Sequence, residues 1–287
     1  MSVLADVFGF GGMFTHPFMR HAFAAGTAIA AAAGLVGYFV VLRGQVFAGD
    51  ALSHVAFTGA LAALAFGIDA RIGIFAGAVL VAVLLAALGD VGQADDVTIG
   101  AVFAWILGIG VLFLSVFTSS RATENSTGGV SVLFGSVFGL DAAHARTAVI
   151  IAAVVCVTVL SVARPLLFAS IDSAVAEAKG VPVRPIAYLF LVLLALTAGE
   201  ATQAVGALVL LGLLAAPAAT AQRLTPRPFL ALMLSGGIAV GATWCGLIVS
   251  YGIPSLPPSF AIMATLTVVY GGVALAKVSR AEAPAQA

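Results

Sequence analysis

The stretch AFAAGTAIAAAAGLVGYFVVL, Ala22 to Leu42, carries no charge and is followed at once by Arg43. Its length matches the ~20 apolar residues that a helix needs to cross the hydrocarbon core of a bilayer. Lipid offers the backbone no hydrogen-bond partner, so each N–H and C=O must be satisfied within the segment, and a helix does this. Comparable runs recur from end to end: Ala51 to Ile68, Ile72 to Leu88, Val97 to Phe117, Thr147 to Ala163, Ile186 to Ala198, Ala204 to Ala216, Phe229 to Tyr251 and Phe260 to Ala276. The fold class that follows is all-α, a polytopic integral membrane protein with roughly eight to ten transmembrane helices on span-length grounds. The 287 residues form a single transmembrane domain, since no stretch is left over for a sizeable soluble one.

Composition agrees. The chain is 62% hydrophobic and 8% charged, with a mean hydropathy of +1.18, whereas soluble domains carry roughly 25% charged residues. Many of the 32 glycines fall inside the apolar runs, where small residues let helices approach closely. Formal charge is zero and there is no basic block, so neither a nucleic-acid footprint nor a polybasic lipid-binding cluster can be argued. Cys156 and Cys245 lie in apolar runs without CxxC spacing and read as packing residues. Met1 to His21, with Asp6, His16, Pro17 and Arg20, lacks the basic n-region and small-residue cleavage site of a signal peptide and reads as an interfacial segment. Residues 281–287 read as a flexible tail.

Topology turns on Val130 to Leu140, a half-length apolar run between Gly128-Gly129 and Asp141 that reads as re-entrant, interfacial or crossing. Lys277 and Arg280 place the C-terminus in the cytoplasm, and alternation from there puts Arg223 with Arg227, and then 164–185, on the same side. If Val130 to Leu140 crosses, the N-terminus is cytoplasmic too, and this is the arrangement we expect. Within 164–185, Asp172 or Ser173 can cap a short helix, Gly180 stops it and Pro182 prevents its return. Val175 and Ala178 would share its apolar face, with Glu177 and Lys179 left to water. Such a helix serves either as membrane-surface structure or as a docking knob for a soluble partner.

Chemistry concentrates at Gly49-Asp50-Ala51-Leu52-Ser53-His54. A carboxylate and an imidazole four residues apart share a helical face. Ionisable groups at membrane depth are costly unless they are paired or line a wet cavity, and both of these bind divalent first-row metals. The bland alternative is that Asp50 caps the helix start while His54 makes a buried hydrogen bond. Glu200 and Gln203 form a second polar pair between two apolar runs and are further candidates for contact with a metal in its path, although Glu200 is near enough to a span end to be an ordinary solvated carboxylate. Asp90, Asp95 and Asp96 make an acidic loop in which Asp95 or Asp96 reads as a cap for the Val97 span. His16, His21 and His144 lie near span ends without an HExxH or other His cluster, although His144 stands beside Asp141.

Several motifs, in order along nearly the whole chain, carry a resemblance. They are Pro17-Phe18-Met19-Arg20, Gly49 to His54, Thr98-Ile99-Gly100, Leu133-Phe134-Gly135-Ser136, Asp172 to Pro182, and Gln203-Ala204-Val205-Gly206 followed by Ala215-Ala216-Pro217-Ala218-Ala219-Thr220-Ala221. The chain resembles the membrane permeases of ABC-type importers for zinc, manganese and iron, the ABC-3 family. The resemblance implies a homodimeric transmembrane unit in the cell membrane, cytoplasmic ATPase subunits and an extracytoplasmic metal-binding protein that delivers the ion. It implies that Asp172 to Pro182 is the coupling helix and that Asp50 and His54 contact the metal in transit; within that helix Asp172 as its cap, Glu177 as an exposed group and Gly180 as an αL stop are the positions expected to matter. Gln203 matches the family pattern, whereas Glu200 does not belong to it. No GxxxxGK[ST] phosphate loop is present, so the chain itself is not the ATPase. The metal is cargo, and no permanent cofactor is implied.

Two ligands per chain are too few for a closed metal site, which wants four. Two copies meeting across a central path, or water, would complete the shell. Asp with His and without Cys disfavours Cu⁺ and permits Zn²⁺, Mn²⁺ and Fe²⁺, and we lean slightly to zinc. The rival readings are a metal/proton secondary transporter using Asp50, His54 and Glu200 as a relay, an ABC permease for a siderophore or cobalamin chelate, and an intramembrane metalloprotease, for which the HExxH motif is missing.

Overall fold

The computed structural model describes residues 10–89, 95–120 and 137–282. Its helices are α1 (Pro17–Leu42), α2 (Val46–Ala65), α3 (Ala70–Leu88), α4 (Asp96–Ser120), α5 (Ala142–Ser161), α6 (Ala163–Ile171), α7 (Ser173–Ala178), α8 (Val183–Ala204), α9 (Ala207–Leu224), α10 (Pro228–Gly252) and α11 (Pro258–Glu282). Eight of these, α1 to α5, α8, α10 and α11, are long and apolar enough to cross a membrane, and α9 is a shorter apolar helix. No strand occurs among the described residues.

The helix starts follow from local chemistry. Pro17 and Pro228 open α1 and α10, where a missing N–H costs nothing. Asp69 accepts from the Arg71 amide at 2.8 Å and Asp141 from the His144 amide at 2.7 Å, caps worth about 1 kcal/mol each. Asp95 accepts from the Thr98 amide at 3.0 Å. Its hydrogen bonds with Thr98 hold the Asp95 carboxyl below the usual carboxylate range. The capping reading of this loop therefore holds at Asp95, while Asp90 lies outside the described residues.

α1, α2 and α8 form the buried centre, and α4, α5 and α11 turn most of their surface outward. The contacts at the centre are backbone to backbone. A Cβ on Gly37 would strike the Leu214 carbonyl of α9, and one on Gly34 would lie 2.7 Å from the Ser235 carbonyl of α10. Ser235 Oγ in turn donates to the Gly34 carbonyl at 2.6 Å. Between α2 and α3, Gly59 and Gly73 stand so close that a Cβ on either would strike the other's carbonyl, with Ala63 and Gly77 one turn along each helix. With no hydrophobic drive between helices in lipid, these small-residue seams supply the packing.

Pairings along the helices fix their directions. Phe47 meets Phe103 and Phe66 meets Phe113, so α2 and α4 run parallel and α4 ends where α2 ends. α5 begins at that same end, because His144 and Thr147 line a cavity with Arg71 of α3. α4 thus ends and α5 begins on one side of the bundle. Phe18 of α1 packs on Phe138 at this end as well. α11 ends beside Arg223, at the opposite end, where Lys277 Nζ donates to the Arg223 carbonyl.

This corrects the expected topology. The two ends of the described chain lie on opposite sides, because α4 ends and α5 begins at the same end of the bundle. Of that run, Val137–Gly139 is a 3-10 turn and 130–136, with the Leu133 to Ser136 motif, lies outside the described residues. Arg43, Arg164, Lys179, Arg184, Arg223, Arg227 and Lys277 gather at one end, which the positive-inside rule assigns to the cytoplasm. The α1 start is then external.

The expected breaks around Glu200 also move. α8 continues through Glu200 and Gln203 to Ala204, and α9 starts at Ala207 after Gly206, whose φ of +89° favours glycine. A carboxylate looked like the end of a span, but inside the bundle it has a cation to face and the helix runs on. The first part of the cytoplasmic segment 164–185 is helical too, as α6.

Candidate metal-translocation site

α2 starts at Val46 with Gln45 as its N-cap residue, so Asp50 lies inside the helix and does not cap it. The i,i+4 spacing brings His54 Nε2 to 3.9 Å from Asp50 Oδ1, with both side chains about one quarter exposed, 26% and 28%. That separation is longer than a hydrogen bond and leaves both donor atoms available to a cation. Ser53, fully buried, donates its hydroxyl to the Asp50 carbonyl at 2.7 Å, which accounts for the serine of the motif without a metal role. The His54 ring packs 5.4 Å from the Phe103 ring of α4.

The pair sits at mid-depth. A Cβ on Gly49 would lie 3.7 Å from Leu194 Cδ1, midway along α8, and 2.9 Å from Leu214 Cδ1 of α9. Phe47, Asp50, His54 and Phe57 form a half-exposed stripe on a helix whose remaining surface is largely buried. Phe103 of α4 covers one side of that stripe, and the rest is left partly exposed. Among the described residues no three His, Cys, Asp or Glu side chains converge as a metal cage.

One turn before the pair lies a group that sequence reading missed. The three guanidinium nitrogens of Arg43 and both amide atoms of Gln45 are buried without a hydrogen-bond partner, and the Arg43 guanidinium stacks 5.0 Å over the Phe190 ring of α8. Burial lowers Arg43 to about 10, so it stays protonated at neutral pH. It directly follows the Ala22 to Leu42 run in the sequence, and only the turn's burial marks it.

Glu200 is not solvated. It is 6% exposed and lines, with Arg71, Phe75, His144, Thr147 and Gln203, a cavity of about 10 Å³, the lower limit for one water. Gln203 Nε2 makes a long bond to the Gly199 carbonyl, 3.4 Å. His144 Nδ1 contacts Asp141 Oδ1 within the same cap. The second polar pair therefore belongs to the external end, where α3, α5 and α8 meet, and Arg71 faces Glu200 there. Glu200→Ala is expected to leave the partly buried Arg71 without the carboxylate across this cavity and to cost on the order of 2 kcal/mol. Thermal unfolding should show Arg71→Met restoring much of that loss in the double variant.

α7 has the expected form. Asp172 accepts from the Val175 amide at 2.9 Å and Gly180 takes φ +82°. Its faces differ from expectation: Ala176 is buried against the bundle, whereas Val175, 45% exposed, and Ala178 face outward beside Glu177 and Lys179. The period of a six-residue helix is too short for the sequence to choose its inner face. The outer face is thus partly apolar, as a docking surface requires.

The sequence model of the ABC 3 transport family matches residues 15–276. The chain belongs to that family. It is 32% identical over 250 residues to the manganese transport system membrane protein MntD of Bacillus subtilis, covering 79% of this chain and 84% of that protein. It is 31% identical over 248 residues to the manganese transport system membrane protein MntC of Halalkalibacterium halodurans, covering 84% and 81%. The solved structure of PsaBC from Streptococcus pneumoniae in complex with Fab superposes with a TM-score of 0.80 at 25% identity, over 93% of this chain and 94% of that one. The protein is a multi-pass membrane permease subunit of an ABC-type divalent-metal importer. It carries no ATPase motif of its own.

Proposed function

We propose that this permease imports manganese, that Asp50 and His54 coordinate the ion in transit, and that α7 docks on a cytoplasmic ATPase subunit. The observation that carries the reading is the exposed Asp50–His54 stripe at mid-depth of the bundle. A carboxylate and an imidazole there replace part of the ion's hydration shell, and an incomplete ligand set lets the ion leave again. Two copies related by a two-fold axis would present both stripes to one path and supply four ligands. The names of the relatives favour manganese over the zinc to which the ligands alone inclined us. Glu200 and Gln203 belong, in this reading, to the external lining of the path, and an extracytoplasmic binding protein delivers the metal to that end. The unpartnered Arg43 and Gln45 groups, on the cytoplasmic side of the pair, suit a turn that is rewetted when the path opens inward.

The test is uptake into proteoliposomes containing the permease, its ATPase subunit and the binding protein. ATP-dependent accumulation of Mn²⁺ in preference to Zn²⁺ and Fe²⁺ is expected. Gly180→Val should keep the fold but abolish coupling, since a β-branched residue at φ +82° displaces the end of α7 at a cost of about 1–2 kcal/mol. Transport by the permease alone, driven by a proton gradient, would overturn the reading in favour of a secondary transporter.

A further inference from the structure

α9 and α11 do not close on each other along their whole length. Gly212, Ala215, Ala216 and Ala219 on one side, and Met263 and Tyr270 on the other, line an open apolar groove of about 330 Å³. At its cytoplasmic end the groove runs into cations. Arg223 lies 5.0 Å over the Tyr270 ring and donates from Nη2 to the Tyr270 hydroxyl at 3.0 Å, and Lys277 Nζ reaches the Arg223 carbonyl at 3.3 Å. Arg227 is exposed beyond them. Among the described residues none of the three has a carboxylate within ion-pair distance. The sequence shows no basic block because these residues are far apart in the chain; the parallel run of α9 and α11 assembles them.

We propose that this groove binds an anionic phospholipid of the inner leaflet, one acyl chain lying between α9 and α11 and the phosphate held by Arg223 and Lys277. An apolar slot ending in cations at headgroup level is complementary to that molecule in both halves. A second copy of the chain fits poorly, because a two-fold contact through the groove would bring like charges together. A zwitterionic lipid would fill the slot but leave the cations without net compensation.

The test is native mass spectrometry of the intact transporter complex after exchange into an equimolar mixture of phosphatidylglycerol and phosphatidylcholine. Wild type should retain phosphatidylglycerol preferentially, by roughly fivefold for each cation engaged. Arg223→Gln with Lys277→Gln should reduce the preference to near unity. Ala219→Phe, which fills the groove and leaves the charges in place, should lower retention of both lipids. Equal retention by wild type, a preference that survives the double charge variant, or undiminished retention by Ala219→Phe would each overturn the proposal. None of these readouts depends on transport, so the assignment of the metal pair stands or falls separately.

Discussion

Asp50→Asn is expected to reduce metal accumulation to about 1% of wild type or less, with the protein present in the membrane at normal levels. The substitution keeps the size and most hydrogen bonding of the side chain and removes its charge, so a purely structural role would survive it. Losing a supporting group beside a metal commonly costs about 10–100-fold in affinity, and losing one of two ligands per chain should cost at least as much. His54→Ala should give the same defect, and the double variant little more, because the two act as one unit. The pair's geometry underlies this: Nε2 and Oδ1 stand 3.9 Å apart on one exposed stripe, near enough to share an ion and too far to satisfy each other. Metal accumulation in starved cells, measured for manganese, zinc and iron in parallel, is the readout. Normal accumulation of all three in both single variants would leave the pair without a transport role and revive the chelate reading.

Gly59→Val should cost about 3 kcal/mol or prevent folding. Its Cβ would strike the Gly73 carbonyl across the α2–α3 seam, and overpacking of a close helix contact costs typically 1–3 kcal/mol before the backbone shifts. Gly73→Ala should behave alike, since the contact is reciprocal, whereas Gly237→Ala, whose Cβ would meet nothing within 4 Å, should be nearly neutral. Thermal unfolding of the purified protein in one detergent compares the three. The consequence reaches function because α2 carries Asp50 and His54: a milder Gly59→Ala that folds should still lower uptake by shifting the helix. Equal stability of the Gly59 and Gly237 variants would show that the seam is dispensable.

Much of the architecture was legible in the chain because lipid imposes one constraint on every span. Runs such as Ala22 to Leu42 could only be helices, and all nine apolar runs became helices. Asp172, Gly180 and Pro182 punctuated α7 by backbone chemistry local to a few residues. Glu200 defeated the same approach, because whether a carboxylate ends a span or lies buried within it depends on Arg71, more than a hundred residues away in the chain. The side of the α1 start escaped for a related reason: hydropathy measures transfer into lipid and does not say at which end of the bundle α4 stops and α5 begins.

By itself, then, the sequence determined the membrane class, the number of long helices within narrow limits, the local caps and the pairing of Asp50 with His54 on one face, all properties of spacing within a single helix. The tertiary structure alone decided that the pair lies on a stripe left partly exposed, that the side chains of Arg43 and Gln45 are buried beside it without hydrogen-bond partners, and that Arg223 and Lys277 meet at the end of a groove. Those depend on which helices touch, and contact in lipid is set by close packing at glycines such as Gly59 and Gly73, a fit between two surfaces that neither helix specifies alone.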